Sequence, residues 1–297
     1  MDLFHTLSNF THAKVFYDEP MKKHTAYGVG GNARYFAEVD SLYSLNELVL
    51  FAKSHKLPYK ILGNGTNVLV SDGGYNGLIL CTTRLDDVFF VRDEIHAMAG
   101  ASLNKVIKFA RAHRLSGLEA LSGIPATIGG AVVMNAGAFG HNISDKITTL
   151  ETLCSGKIKK YDKSECGFTY RGSRFLGKKE VVVSVNFRLK ESDREIITAG
   201  IKSFSELRCS IQPTGRSCGS VFKNPKPETA GRLIDKAGLK GLTIGGATIS
   251  ERHGNFIITN SKACATDVYE LIQYIKKKIN DEFGIELKEE VEFVGEF

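Results

Sequence analysis

No Cys-x-x-Cys occurs in the sequence, and its six cysteines, at positions 81, 154, 166, 209, 218 and 264, include no close pair and none with a histidine at metal-ligand spacing. A zinc site needs closely spaced ligands and a small disulfide scaffold needs paired cysteines, so both are excluded; reduced thiols in a cytoplasmic setting are expected. There is no internal repeat or low-complexity stretch, which removes solenoids and flexible linkers. The opening Met1-Asp2-Leu3-Phe4-His5 lacks a basic region followed by an apolar run, and no export signal is expected. Charge of one sign is not concentrated either: 39 Lys and Arg against 33 Asp and Glu give a formal +6, spread along the chain. That balance suits polyanionic small molecules, and no nucleic-acid partner is expected. The most basic short run, Lys276 to Lys278, lies on a helical pattern beside Asp281 and Glu282 and reads as a solvated face.

What is present is an ordinary globular composition, 42% hydrophobic and 24% charged over 297 residues, enough for two or three domains. Ala120 to Gly140 carries no charge for about the length that crosses a bilayer, but Pro125, Asn135 and five glycines make it a poor membrane helix. No membrane insertion is expected.

Leu42, Leu45, Leu48, Val49 and Ala52 recur at helical spacing within Ser41 to Lys56, with a capping box proposed at Ser44 to Glu47. Strand-like runs follow at Lys60 to Leu62, Val68 to Ser71 and Leu78 to Cys81. Ser102 caps a second helical pattern carrying Leu103, Val106, Ile107 and Ala110. Ile147 to Cys154, Ile158 to Tyr161 and Val181 to Leu189 read as strands, the first two meeting around Ser155-Gly156. A helix is expected over Glu191 to Leu207, and a long amphipathic one carries Val268, Leu271, Ile272, Ile275, Ile279 and Phe283. The class is α+β, with a boundary near residue 200.

Three glycine-rich signals stand out. Gly28-Val29-Gly30-Gly31-Asn32-Ala33 fits the dinucleotide-binding expression, but that turn needs an apolar strand before it and a helix after it. Met21 to Thr25 is too polar for the strand and Arg34 to Val39 is strand-like, so the Rossmann reading fails. Gly63-Asn64-Gly65-Thr66-Asn67 lies between two strand-like runs and fits either a hairpin turn or a nest of N–H groups for a pyrophosphate. Gly123-Ile124-Pro125-Ala126-Thr127-Ile128-Gly129-Gly130, followed by Asn135-Ala136-Gly137-Ala138-Phe139-Gly140, is too long for a turn and points to backbone approaching a flat or charged ligand.

These segments, with Tyr170-Arg171-x-Ser173, Gly219 to Pro225 and Glu289-Glu290-Val291, stand in an order that resembles the UDP-N-acetylenolpyruvoylglucosamine reductase family over nearly the whole chain. The resemblance implies an FAD-binding fold of the PCMH or vanillyl-alcohol-oxidase type. Residues 1–200 would form the flavin domain, with subdomains at about 19–80 and 81–200, and 201–297 a C-terminal α/β substrate-binding domain. It implies noncovalent FAD held by Gly63, Asn64, Gly65, Thr66, Asn67, Gly123, Ile124, Pro125, Thr127, Gly129, Gly130, Asn135, Gly137 and Ala138. NADPH would be the hydride donor, an enolpyruvyl UDP-sugar the substrate, and no metal is needed. The oligomeric state stays open.

The implied reaction adds hydride to the terminal carbon of a double bond conjugated to a carboxylate, so the site must stabilise negative charge and supply one proton. Arg171 resembles the family's catalytic arginine, Glu290 its glutamate and Ser220 its proton donor. Tyr170, Lys223, Asn224 and His253 resemble substrate contacts, although Gly254, between His253 and Asn255, stands where the family often has alanine before the asparagine. Cys218 has no thiol step to perform and reads as packing. The chain lacks the insertion that one branch carries near Tyr170 and so resembles the shorter branch. Alternatives are an FAD-linked oxidase, for which His141 after Gly140 offers a tether, and a non-catalytic flavin or nucleotide-binding module.

Overall fold

The computed structural model describes Leu7, Phe10, residues 13–154 and residues 156–297. Met1 to His5, where no export signal is expected, and Ser155 of the expected turn lie outside them. In chain order the main elements are β1 (Ala13–Pro20), β2 (Asn32–Val39), α1 (Leu42–Ser54), β3 (Tyr59–Leu62), β4 (Val68–Val70), β5 (Tyr75–Cys81), β6 (Val88–Val91), β7 (Glu94–Met98), α2 (Leu103–Ala112), α3 (Ile128–Val133), β8 (Ile147–Cys154), β9 (Lys157–Asp162), β10 (Val181–Phe187), α4 (Arg194–Ile211), α5 (Ala230–Lys236), β11 (Thr243–Ile244), β12 (Ala247–Ile249), β13 (Ile257–Thr259), α6 (Ala265–Phe283) and β14 (Glu292–Val294). Two compact units result. The first comprises Met1–Tyr17, Tyr35–Asn64 and Gly77–Arg208; the second comprises Asp18–Arg34, Gly65–Asn76 and Cys209–Phe297.

The first unit has a sheet in the order β1-β2-β5-β3, with β3 and β5 parallel and Tyr59 opposite Leu78. A second sheet, β9-β8-β10-β7-β6, is antiparallel throughout. Leu45, Leu48, Val49 and Ala52 of α1 bury against Tyr35, Ala37, Leu78 and Leu80. Leu103, Val106 and Ile107 of α2 join Ile128 and Val132 of α3 over Ile95, Leu150 and Val185. Each fully buried aliphatic side chain contributes about 1.5–3 kcal/mol, far more than a helix-propensity difference, so these stripes fix the helices on the sheets.

In the second unit β11-β12-β13 form an antiparallel sheet, and β14 pairs parallel with β4, Glu292 opposite Val68. Val268, Leu271, Ile272, Ile275 and Ile279 of α6 are buried with Val221, Phe222, Leu233 and Ile257. Asp72 binds the start of α6, accepting from Ala265 N at 2.8 Å, Thr266 N at 2.9 Å and the Thr266 hydroxyl at 2.8 Å.

Several sequence expectations shift. The N-cap of α1 is Ser41, extended at φ −143° and accepting from Ser44 N at 3.1 Å, whereas Ser44 lies buried inside the first turn. A cap must stand outside the helix, so the box at Ser44 to Glu47 does not form. The helix expected from Glu191 begins at Arg194, because Lys190 and Glu191 are held extended opposite Ser116 and Leu115. Lys276 is not merely solvated: its Nζ lies 2.6 Å from Glu289. Among the described residues no helix is long and apolar enough to cross a membrane.

Candidate functional site

In the first unit, Gly63 and Asn64 follow β3 and meet the long glycine-rich stretch. Asn64 Nδ2 donates to Pro125 O at 3.0 Å, and a Cβ on Gly63 would strike Thr127 Oγ1. Thr127 caps α3, its hydroxyl accepting from Gly130 N at 3.4 Å. Gly129 N donates to Ala99 O at 2.8 Å, and a Cβ there would sit 3.0 Å from that of Ala99. Part of this glycine density therefore serves helix-to-sheet packing, a reason the sequence did not reveal. Gly123, at φ +78°, lies against Arg208, whose Nε donates to Ser122 O at 3.0 Å and whose guanidinium stands 5.4 Å from the Phe139 ring. Ile124 N bonds Leu121 O at 3.2 Å. Gly137 and Ala138 pair with Asn142 and His141; His141 is exposed.

The same stretch carries the arginine turn. Asn135, buried at φ +43°, donates from Nδ2 to Thr169 O at 2.9 Å and accepts at Oδ1 from Ser144 N at 3.4 Å. Ser173 Oγ donates to Val133 O at 2.8 Å. Thr169 N to Gly172 O at 2.9 Å and Gly172 N to Thr169 O at 3.3 Å close the turn, with Tyr170 and Arg171 at its tip. Arg171 adopts φ +53°, a left-handed conformation that costs a non-glycine residue roughly 1 kcal/mol or more and persists because these tethers over-determine it. Its guanidinium carbon lies 5.3 Å from the centroid of the exposed Tyr170 ring.

In the second unit Gly65 stands at φ +62°, where a Cβ would collide with His24 O. The successive N–H groups of Asn64, Gly65 and Thr66 donate to no acceptor among the described residues. Asn67 turns its side chain elsewhere, Nδ2 donating to Glu290 O at 2.9 Å. Ser220 begins an extended segment held on both edges. On one edge Glu290 N donates to Val221 O at 2.7 Å and Lys223 N to Lys288 O at 2.9 Å; on the other Val221 N donates to Asn255 O at 2.9 Å. Ser220 and Glu290 are thus brought into paired extended segments, both half-buried. Lys276 holds the adjacent Glu289. Asn224 Oδ1 accepts from Ala230 N at 3.0 Å at the start of α5, and Lys223 is half-buried beside it in sequence.

His253 Nδ1 accepts from Asn255 N at 3.2 Å, leaving the ring proton of the neutral form on Nε2. Burial, with the Lys240 charge adding to it, lowers its pKa below the usual histidine value, so the ring is neutral at pH 7. Cys218 is buried and its Sγ donates to Val68 O at 3.4 Å; burial pushes the thiol up to about 12, which suits packing and not nucleophilic chemistry. Asn255, 3% exposed, enters the sequence reading only as part of the loop around His253, with no role assigned to it.

Comparison with known proteins supplies the class. Residues 33–160 match the model of an FAD binding domain, and residues 212–294 that of the UDP-N-acetylenolpyruvoylglucosamine reductase C-terminal domain. The solved structure of Physcomitrella patens BBE-like 1, 16% identical, shares the fold at a TM-score of 0.50 over 64% of this chain and 45% of its own. These features define an FAD-binding oxidoreductase of α+β architecture, with the PCMH-type flavin fold.

The chain belongs to the UDP-N-acetylenolpyruvoylglucosamine reductase family. The reductase of Listeria innocua is 40% identical over 97% of this chain and 98% of its own, and that of Caldanaerobacter subterraneus is 40% identical over 95% and 94%. The crystal structure of the Thermus caldophilus enzyme, 35% identical, superposes with a TM-score of 0.82 over 96% of this chain and 100% of its own. The residues present fit FAD: the run of N–H groups at Asn64 to Thr66, around a glycine whose place no side chain can take, has the donor chemistry that a pyrophosphate needs.

Proposed function

We propose that this chain reduces UDP-N-acetylglucosamine enolpyruvate to UDP-N-acetylmuramate with NADPH as the hydride donor, in the cytoplasm. The observation that supports it is the bond from Glu290 N to Val221 O at 2.7 Å, which makes Ser220 and Glu290 near neighbours on paired extended segments; we read the first as proton donor and the second as the carboxylate of the reaction. Residues 1–200 supply the flavin side and 201–297 most of the substrate side. Asn64, Gly65 and Thr66 hold the FAD pyrophosphate through N–H groups, and Gly123 to Thr127 with Asn135 to Ala138 line the rest, without a covalent tether. When bound, FAD supplies a two-electron relay between NADPH and the substrate.

The chain's own residues manage charge and the proton. Once the terminal carbon has gained hydride, negative charge spreads from the adjacent carbon onto the carboxylate, where the planar fork of Arg171 matches two oxygens. Ser220 Oγ–H gives its proton to the adjacent carbon; a serine hydroxyl is a feeble acid, but the carbanion is a strong base and placement is what matters. Glu290 holds the acidic proton of the enolic carboxylate. Lys223, Asn224, Tyr170 and His253 contact the sugar nucleotide.

Ser220→Ala tests this reading. Rapid mixing followed at the flavin band should show NADPH reducing the flavin at nearly the parent rate, while reoxidation by substrate slows about 100-fold to 10,000-fold, the usual cost of losing a positioned acid. Equal slowing of both half-reactions, or of neither, would make Ser220 only structural.

A further inference from the structure

We infer that Asn255 is a positioning residue for the protonation step, fixing the main chain that carries Ser220 and aligns Glu290; this rests on the role proposed for Ser220. The side chain is buried, and both ends of its carboxamide meet one residue: Oδ1 accepts from Phe222 N at 2.9 Å and Nδ2 donates to Phe222 O at 2.8 Å. Its own carbonyl accepts from Val221 N at 2.9 Å. Three bonds from one residue therefore grip Val221 and Phe222, immediately after Ser220. The carboxamide imitates a peptide group of an adjoining strand, offering donor and acceptor together, where the chain has turned away into the Ser250 to Asn255 loop.

The opposite edge of the gripped segment is the Glu290 edge. Val221 O accepts from Glu290 N at 2.7 Å and more weakly from Val291 N at 3.4 Å. Asn67 Nδ2 holds Glu290 O at 2.9 Å. A shift of Val221 and Phe222 thus moves Ser220 and the Glu290 backbone in concert, and a displacement of about 1 Å at a reacting group is enough to cost on the order of 100-fold. Among the described residues no other group bonds Phe222 N or O. Alanine removes donor and acceptor, and aspartate sets an oxygen against the Phe222 carbonyl in place of the amide.

The test combines half-reactions with a double-mutant cycle on the full-length holoenzyme. Asn255→Ala should slow flavin reoxidation by substrate about 10-fold to 100-fold and leave reduction by NADPH nearly unchanged. In a Ser220→Ala background the same substitution should slow reoxidation by less than about threefold further, since residues acting through one step are not additive. Asn255→Asp gives the same comparison should the alanine variant not fold. If Ser220→Ala slows only reoxidation while the Asn255 variants slow neither half, slow both alike, or add fully to Ser220→Ala, the positioning role is wrong and the reading of Ser220 survives. If Ser220→Ala has no selective effect, that reading falls, and this one with it.

Discussion

The arginine turn of the first unit and the serine strand of the second are held in opposite ways. Arg171 stands at the tip of a four-residue turn, in a left-handed conformation, tethered by Asn135 and Ser173 acting on residues around it. Ser220 opens an extended segment whose neighbours are bonded on both edges and whose core side chains, Val221 and Phe222, are buried. Both rely on a buried asparagine: Asn135 bonds one carbonyl of the turn and the Ser144 N–H elsewhere, whereas Asn255 bonds both groups of one residue. A delocalised cation tolerates small displacements because charge interactions vary slowly with distance, whereas a proton donor must lie in hydrogen-bond reach of one carbon. On the roles proposed for Arg171 and Ser220, the more rigid support lies under the group with the stricter requirement.

Substitution at the tip gives the largest effect that would sharpen this contrast. Arg171→Lys should lower the rate of reoxidation by substrate by about 100-fold, the order found on losing one oriented donor, with thermal stability almost unaffected. A lysine variant at the parent rate in stopped-flow absorbance would show that charge alone suffices and that the turn is not a positioning device.

A smaller effect is expected from the capping carboxylate of α6. Burial raises the Asp72 pKa, but the bonds from Ala265 N, Thr266 N and the Thr266 hydroxyl outweigh it, so the carboxyl is held below its ordinary 3.8. A depressed folded-state pKa contributes stability present above the unfolded value and lost as pH falls through the folded one. Asp72→Ala should therefore destabilise the protein by about 1 kcal/mol at neutral pH, with the gap from the parent narrowing below the unfolded value near 3.8. Denaturant titrations at neutral and acidic pH check this; a gap that widens in acid would contradict it.

The smallest effect belongs to the core beside Cys218. Tyr27 is fully buried, its hydroxyl has no hydrogen-bond partner among the described residues, and burial holds its pKa well above the ordinary value. Removing an unsatisfied buried hydroxyl relieves its desolvation cost, largely offset by the space left, for a net gain below about 1 kcal/mol. Tyr27→Phe should raise the melting temperature and change neither half-reaction; a lowered one would mean that the hydroxyl is bonded.

The helices were legible because α1, α2 and α6 each present an apolar stripe at helical spacing, and packing enforces that stripe. Their ends were less so: Ser41 and Ser44 both suit a cap, and only the extended backbone at Ser41 decides between them. Lys190 and Glu191 look helical by composition but are captured by Ser116 and Leu115, far earlier in the chain, an interaction that local pattern does not contain. The glycine-rich stretches showed where backbone approaches something closely, yet Gly129 approaches Ala99. Arg171, Ser220 and Glu290 were identified through family resemblance. Asn255 was missed because its work is done by two bonds to a residue 33 positions away.

The central claim is tested most directly by an anaerobic titration of the purified protein. NADPH should bleach the flavin absorbance, and UDP-N-acetylglucosamine enolpyruvate, added without oxygen, should restore it in stoichiometric proportion with formation of UDP-N-acetylmuramate. Flavin that stays reduced until oxygen is admitted would contradict the assignment and leave an oxidase; a protein that carries no flavin would contradict it altogether.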